Sequence, residues 1–335
     1  MSSVGIIANP ASGKDIRRLV SHASVFDNHE KTHILERALL AMDALNIEKV
    51  FYMPDYYGLV ERAMDKLHVS IEGVSLQIDM WADERDSIEA AKLLCNGDVG
   101  CIITLGGDGT NRAVATGCRD VPILAISTGT NNVFPRMLES TAAGIAAGLV
   151  ARRLVDLDKV TYRAKQLEVY VDGELKEIAL IDVVVSTDLF IGSRALWDTD
   201  RLREIVLARA EPSSIGMSSI GGCLHALGPQ DPQGMYIRLG EGNIRVMAPI
   251  GPGLVKPVDI QNYHLLSIGE ELELEPTAST IAVDGERQIE VFPEQKVVVR
   301  LTNNGPRVVD VDRCMWEASQ CGILRLSEGA ACIEA

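Results

Sequence analysis

The first 150 residues alternate between two hydrophobic periods, and this constrains the fold more than any other feature of the chain. Short apolar runs at residues 4–8, 50–53, 74–80, 99–105 and 121–127 read as strands buried on both faces. Between them, Ile34, Leu35, Ala38, Leu39, Met42 and Leu45 recur at helical spacing, as do Ile88, Ala91, Leu94 and Cys95. A further helix, rich in Ala and Gly, is predicted over residues 141–152. Strand then helix, repeated, predicts a doubly wound parallel sheet: a Rossmann-like α/β domain over residues 1–150.

Beyond Leu154 the texture changes. Alternating, β-branched stretches at 166–171, 177–185, 235–239, 244–249, 265–268, 280–283 and 296–301 predict antiparallel strands. Asp172-Gly173 and Asp284-Gly285 punctuate them as hairpin turns. One helical pattern, residues 199–209, interrupts the series. The expected organisation is a β-sandwich domain over 151–305 and a C-terminal segment, 306–335, that returns to the first domain.

Charge narrows the function. The chain carries 32 Lys+Arg against 47 Asp+Glu, a net −15, which excludes nucleic acid and weighs against anionic membranes. Aromatic residues at 4% disfavour base-stacking platforms. Seven cysteines (Cys95, Cys101, Cys118, Cys223, Cys314, Cys321 and Cys332) form no C-x-x-C pair and read as free thiols, mostly buried, in a reducing compartment. No signal-peptide pattern opens the chain, and no apolar run is long enough to span a bilayer. A cytoplasmic protein, forming a homo-oligomer, is expected.

Chemistry concentrates at three strand ends. Residues 99–105 run into Gly106-Gly-Asp-Gly-Thr110, and a helix opens just after them. Glycines let a ligand approach the backbone, and a helix N-terminus offers unpaired N–H groups to an anion. Asn9-Pro-Ala-Ser-Gly13-Lys14 follows the first strand, with Arg17 and Arg18 nearby, and Thr128-Gly-Thr-Asn-Asn132 follows the fifth. In a parallel sheet all three leave the same rim, where ligands bind. The same residues also fit a tight βα turn capped by Asp108, a solvated basic face and a plain polar loop. Two other phosphate motifs fail. Arg112 stands where the third Gly of G-x-G-x-x-G belongs, and Ala8 and Asp15 break the Walker A pattern around Gly13-Lys14.

Taken together, these loops resemble the ATP-NAD kinase, diacylglycerol kinase and sphingosine kinase superfamily. Ala179-Leu-Ile-Asp-Val-Val-Val185 is similar to the Asn-Glu strand of NAD kinases, with Ile181-Asp182 in place of Asn-Glu. Val283-Asp-Gly-Glu286 is similar to the Asp-Gly-Gln or Asp-Gly-Glu of the same enzymes. Over nearly the whole chain the pattern is similar to the acetoin catabolism X group. The resemblance implies an active site between a Rossmann-like domain and a β-sandwich, with ATP, Mg²⁺ and NAD(H) as cofactor and substrates. It implies Asp108 as the catalytic carboxylate, with Mg²⁺ near it. Asn9, Ser12, Gly13, Lys14, Gly106, Gly107, Gly109, Thr110, Thr128, Gly129, Thr130, Asn131 and Asn132 would hold nucleotide phosphate and ribose. Asp182, Asp284 and Glu286 would hold the acceptor.

The pattern also departs from the superfamily. Gly216-Met-Ser-Ser-Ile-Gly-Gly222 lacks the Tyr of the NAD kinase acceptor segment, and Val133 stands where lipid kinases have Asp. A lipid or other small-molecule kinase, or a nucleotide-binding regulator, are the alternatives to phosphorylation of NAD(H). Asp182 also reads as a structural strand carboxylate, and Asp284 and Glu286 as hairpin-turn residues. Among the histidines only His225, after Gly221-Gly222, is a candidate nucleotide contact; His29 and His33 read as surface residues.

Overall fold

The computed structural model describes residues 2–13, 26–129, 131–186, 201–275, 279–285 and 287–325. The first half contains β1 (Ser3–Ala8), α1 (Asn28–Ala44), β2 (Lys49–Tyr52), α2 (Leu59–Asp65), β3 (Glu72–Ser75), α3 (Glu84–Asn96), β4 (Cys101–Gly106), α4 (Asp108–Gly117), β5 (Ile123–Ser127) and α5 (Ser140–Ala151). The short α6 (Leu157–Val160) and β6 (Thr161–Arg163) follow. Then come β7 (Gln166–Val171), β8 (Glu174–Ala179), β9 (Asp182–Ser186), β10 (Leu202–Leu207), α7 (Met217–Leu224), β11 (Gln233–Gly251) and β12 (Leu254–Ser267). The chain closes with β13 (Glu271–Glu273), β14 (Ser279–Val283), β15 (Arg287–Val291), β16 (Val297–Thr302), β17 (Arg307–Val309) and α8 (Val311–Gln320).

Strands β1 to β5 pair in parallel in the order β3-β2-β1-β4-β5, in register Val4 with Val50 and Cys101, and Gly106 with Ser127. Beyond β5 lies β17, parallel to it, and then β6, antiparallel to β17. Every residue of β1, β4 and β5 is buried, because helices cover both faces. Helices α1, α2, α5 and α8 pack on one face, and α3 and α4 on the other. The Ala and Gly content of α5 allows a close approach to α1: a Cβ on Gly144 would lie 2.5 Å from the Ala38 carbonyl oxygen. Strand order reverses between β1 and β4. The chain walks outward from β1 to β3, then jumps back to the other side of β1.

The second half is antiparallel. A six-stranded sheet, β12-β11-β10-β9-β14-β15, faces a four-stranded one, β13-β16-β7-β8. Leu167, Val169, Val299 and Leu301 of the smaller sheet interdigitate with Val183, Val185, Val206 and Ile281 of the larger. Ile220 of α7 covers the other face of the larger sheet. Asp172-Gly173 and Asp284-Gly285 form the expected turns, with φ of 52° and 81°, and 47° and 70°, so all four residues are left-handed.

Several expected boundaries change. Where a helix is expected over 199–209, the described residues Leu202–Leu207 form strand β10, paired on one side with β9 and on the other with β11. It is buried on both faces except at Arg203, so its sequence carries no period-2 signal. The single strand expected over 177–185 is two strands in different sheets, with the chain turning at Leu180-Ile181. The stretches at 235–239 and 244–249 are one strand, β11, with a register shift between Leu239 and Ile244. The strand expected to extend to Met80 ends at Ser75, on an exposed edge. Cys101, Cys118 and Cys314 are buried, whereas Cys223 and Cys321 are exposed. No described helix is long and apolar enough to cross a membrane.

Lys165, just before β7, is buried and its Nζ donates to the Gln233 carbonyl at 2.5 Å. Burial, and then the charge of Arg209, lowers its pKa from 10.5 to about 8. Between these values the unfolded chain holds more protons than the folded one, so the Lys165 contribution to stability rises with pH. Urea unfolding from pH 8 to 10 should show the wild type gaining about 1–2 kcal/mol on Lys165→Met. Parallel curves for the two proteins would show that Lys165 does not titrate in this window.

Candidate active site

Because strand order reverses between β1 and β4, their exit loops lie side by side at the C-terminal rim, with the β5 exit next to them. The loops are tied to one another. Asn9 Nδ2 donates to Thr110 Oγ1 at 2.9 Å, and Thr128 Oγ1 to Ser12 Oγ at 2.9 Å. The Thr128 N–H donates to the Gly106 carbonyl at 3.3 Å. Asn9 also organises its own loop: its Oδ1 accepts from the Ala11 N–H and its carbonyl from Ser12 Oγ. In the third loop Asn132 Nδ2 donates to Ser127 Oγ, which in turn donates to the Gly129 carbonyl.

Two glycines are required by close approach. A Cβ on Gly106 would lie 2.6 Å from the Thr110 side chain, and one on Gly107 2.9 Å from Asn132 Oδ1. Gly13 adds a left-handed φ of 69° and sits against the Thr128 carbonyl. Gly107 caps α4, Asp108 is its first residue, and Gly109 follows in the first turn. The Asp108 carboxylate accepts from the Val133 N–H at 3.1 Å and the Phe134 N–H at 2.8 Å. The carboxylate of the second loop is thereby fixed on the third. Val133, in the place of an Asp in lipid kinases, contributes its backbone here.

Asp108, Asn131, Asn132 and Val133 form one wall of a cleft. The opposite wall is built by Asp182 at the start of β9, residues 215–217 entering α7, residues 250–252 at the end of β11, and Gly285. Asp108 and Asp182, far apart in sequence, thus border one cavity. Asp284 is also at this cleft, but its carboxylate has a different task. The side chain is fully buried and accepts from the N–H groups of Leu180, Ile181 and Asp182 at 2.8–3.2 Å. Burial pushes the Asp284 carboxyl up, while Arg112 and the three N–H groups pull it down. These bonds turn the chain at Leu180-Ile181, and the acceptor-binding role expected for Asp284 does not suit a carboxylate so enclosed.

His225 is exposed at the C-terminal end of α7, whereas the N-terminal end lines the cleft, so His225 is not among the residues that border it. Lys14, Thr130 and Glu286 lie outside the described residues, as do Arg17 and Arg18.

The residues 4–154 match the ATP-NAD kinase N-terminal domain profile, and 165–304 match the acetoin catabolism protein X C-terminal domain profile. Over 96% of its length the chain is 37% identical to acetoin catabolism protein X of Cupriavidus necator, covering 94% of that protein. The chain belongs to the acetoin catabolism protein X family. In fold, this family member is similar to yeast NADH kinase, solved in complex with NADH, with a TM-score of 0.53 and 13% identity over 99% of this chain and 90% of that one. The fold is therefore the NAD kinase-like pairing of a mostly parallel α/β sheet with antiparallel sheets.

Lys31 was not singled out by its sequence. It is fully buried on α1, and its Nζ donates to the carbonyls of Asn9, Pro10 and Ser12 at 2.7–3.1 Å and to Asn28 Oδ1 at 3.1 Å. One ammonium thus braces the whole first loop from beneath. The local signal was a Lys one turn after the Asp27 N-cap, on the face that carries Leu35. Lys31→Met strands these carbonyls without a donor and should cost about 2–4 kcal/mol in chemical denaturation. Limited proteolysis of the variant should cut within residues 9–13 faster than in the wild type. Unchanged stability and cleavage would remove Lys31 from this role.

Proposed function

We propose that the protein is an ATP- and Mg²⁺-dependent phosphotransferase that phosphorylates a ribose hydroxyl of NAD(H), serving acetoin catabolism. The observation that carries this reading is the meeting of the hydrogen-bonded glycine loops with Asp108, across one cleft from Asp182. Glycine backbone and the α4 N-terminus suit triphosphate oxygens. The base and ribose of the donor are assigned to a cavity of about 210 Å³ bordered by Asn9, Met53, Tyr56, Gly109, Thr110 and Ala113. The first turn of α4 separates that cavity from the cleft, so a donor lying over it brings its terminal phosphate to Asp108.

The cleft's oxygen donors, the carboxylates of Asp108 and Asp182 and the amide oxygens of Asn131 and Asn132, suit a hard cation such as Mg²⁺ that arrives with the nucleotide. When bound, the ion would neutralise charge on the transferred phosphoryl group. Asp182 orients the acceptor hydroxyl. The hydroxyl oxygen bonds to the γ-phosphorus as the bond to the β-bridging oxygen breaks, and ADP leaves. Asp108, held by the Val133 and Phe134 N–H groups, takes the hydroxyl proton and passes it to solvent.

The test is product formation from Mg-ATP with NAD⁺, NADH, diacylglycerol or sugar alcohols. NADP(H) is expected; another phosphorylated product reassigns the acceptor, and no product with any of them overturns the reading. Asp108→Asn should lower kcat by about 10²–10⁴ at saturating Mg-ATP. A loss under tenfold would take the base role from Asp108.

A further inference from the structure

Arg112 is four residues, one helical turn, beyond Asp108 on α4, and its side chain is only 4% exposed. It reaches three carboxylates on three different elements. Its Nη2 lies 3.2 Å from Glu84 of α3, its Nη1 3.4 Å from Glu177 of β8, and its Nε 3.9 Å from Asp284 in the β14–β15 turn. Glu84 belongs to the first domain, and the other two to the two antiparallel sheets. One guanidinium fork is therefore the shared counter-ion of elements that have no strand pairing with one another.

The connection continues on the far side of Asp284. Its carboxylate accepts the N–H groups of Leu180, Ile181 and Asp182, and its own N–H donates to the Asp182 carbonyl at 3.0 Å. Asp182 is gripped through both its backbone groups by the residue that faces Arg112. Asp108 and Asp182 border the same cleft, and both lie one short link from this cation.

We infer that Arg112 is a positioning residue: it docks the Asp284 turn on α4 and so sets Asp182 opposite Asp108 across the cleft. Apolar contacts also join these parts, since Ile178, Leu180 and Ile181 pack in one cluster with Val114 and Ala115. Those contacts are non-directional and tolerate sliding, whereas Arg112 is fixed by a hydrogen bond to Glu84 and holds Glu177 and Asp284 by short-range charge attraction from one point on α4. Without the cation, the charge attraction that draws Asp284 toward α4 is lost. Arg112 touches neither reacting group, and its effect passes through Asp284 to Asp182.

The inference rests on the phosphotransferase reading only for its rate readout. The direct test is backbone hydrogen exchange on the full chain carrying Arg112→Met, which keeps volume and removes the fork. The amides of Leu180, Ile181 and Asp182 should exchange at least tenfold faster, with β1, β4 and β5 as protected as in the wild type. Arg112→Lys, which keeps the charge, should recover part of that protection, and it carries the same test if Arg112→Met does not fold. In the phosphotransfer assay, kcat per nucleotide-occupied site should fall at least tenfold with KM for Mg-ATP within threefold. A merely stabilising residue would change the fraction of occupied sites and leave the rate per site intact. Unchanged exchange at Leu180–Asp182, or an unchanged rate per site in an active enzyme, overturns the inference. If the wild type transfers no phosphate, the functional reading falls and the exchange experiment alone decides the role of Arg112.

Discussion

Strand order in the parallel sheet reverses between β1 and β4, and the site follows from that reversal. Loops that leave neighbouring parallel strands at one rim cannot all be satisfied by their own strands, since each strand ends before the loop does. Here the loops satisfy one another: Asn9 with Thr110, Ser12 with Thr128, and Gly106 with Thr128. The Asp108 carboxylate then joins the second loop to the third. Several residues with ligand-type side chains thereby spend part of their hydrogen-bonding capacity on holding the cradle. What a phosphate would meet is mostly backbone at the start of α4, already ordered. Preorganisation of this kind lowers the ordering cost of binding.

The second wall depends on a different device. A strand that must pass from a four-stranded sheet into a six-stranded one needs a corner, and the backbone N–H groups at a corner lose their ladder partners. Asp284 supplies the missing acceptors from a turn a hundred residues away in sequence. Its left-handed φ of 47° places a carboxylate, rather than a strand backbone, against Leu180 and Ile181. The cost of burying that charge is offset only in part by three N–H donors and the nearby Arg112. The arrangement couples the position of Asp182 to a group on the helix that carries Asp108, so the cleft's two walls are registered by electrostatics as well as by packing.

What was legible in the sequence was what is local. Runs buried on both faces gave β1, β4 and β5, and amphipathic spacing gave α1 and α3, because burial by covering helices leaves its imprint within ten residues. The Gly106–Thr110 and Asn9–Gly13 loops were legible because close approach and left-handed backbone admit few residues besides glycine. The misread features are those whose cause lies far along the chain. Leu202–Leu207 has apolar residues on both faces, so a helical spacing fits as well as a central strand, and only pairing with β9 and β11 decides. The break at Leu180-Ile181 has no local signature, since its cause is Asp284. Lys31 and Arg112 passed without a role because nothing beside them in sequence shows the carbonyls or carboxylates they meet.

That last point bears on how a chain of net charge −15 can hold phosphates. Salt largely screens the field of the net charge beyond a Debye length of about 8 Å, whereas a phosphate on this rim would feel the groups inside that distance. Two local sources of positive potential lie there. The N-terminus of α4 contributes the equivalent of roughly half a charge, and Lys31, fully buried beneath the first loop, contributes another without exposing a basic surface. Neither attracts a polyanion from afar, so neither creates affinity for nucleic acid or anionic lipid. A helix N-terminus and a cation beneath the loop act at short range, which separates the ability to seat a nucleotide phosphate from the overall charge of the molecule.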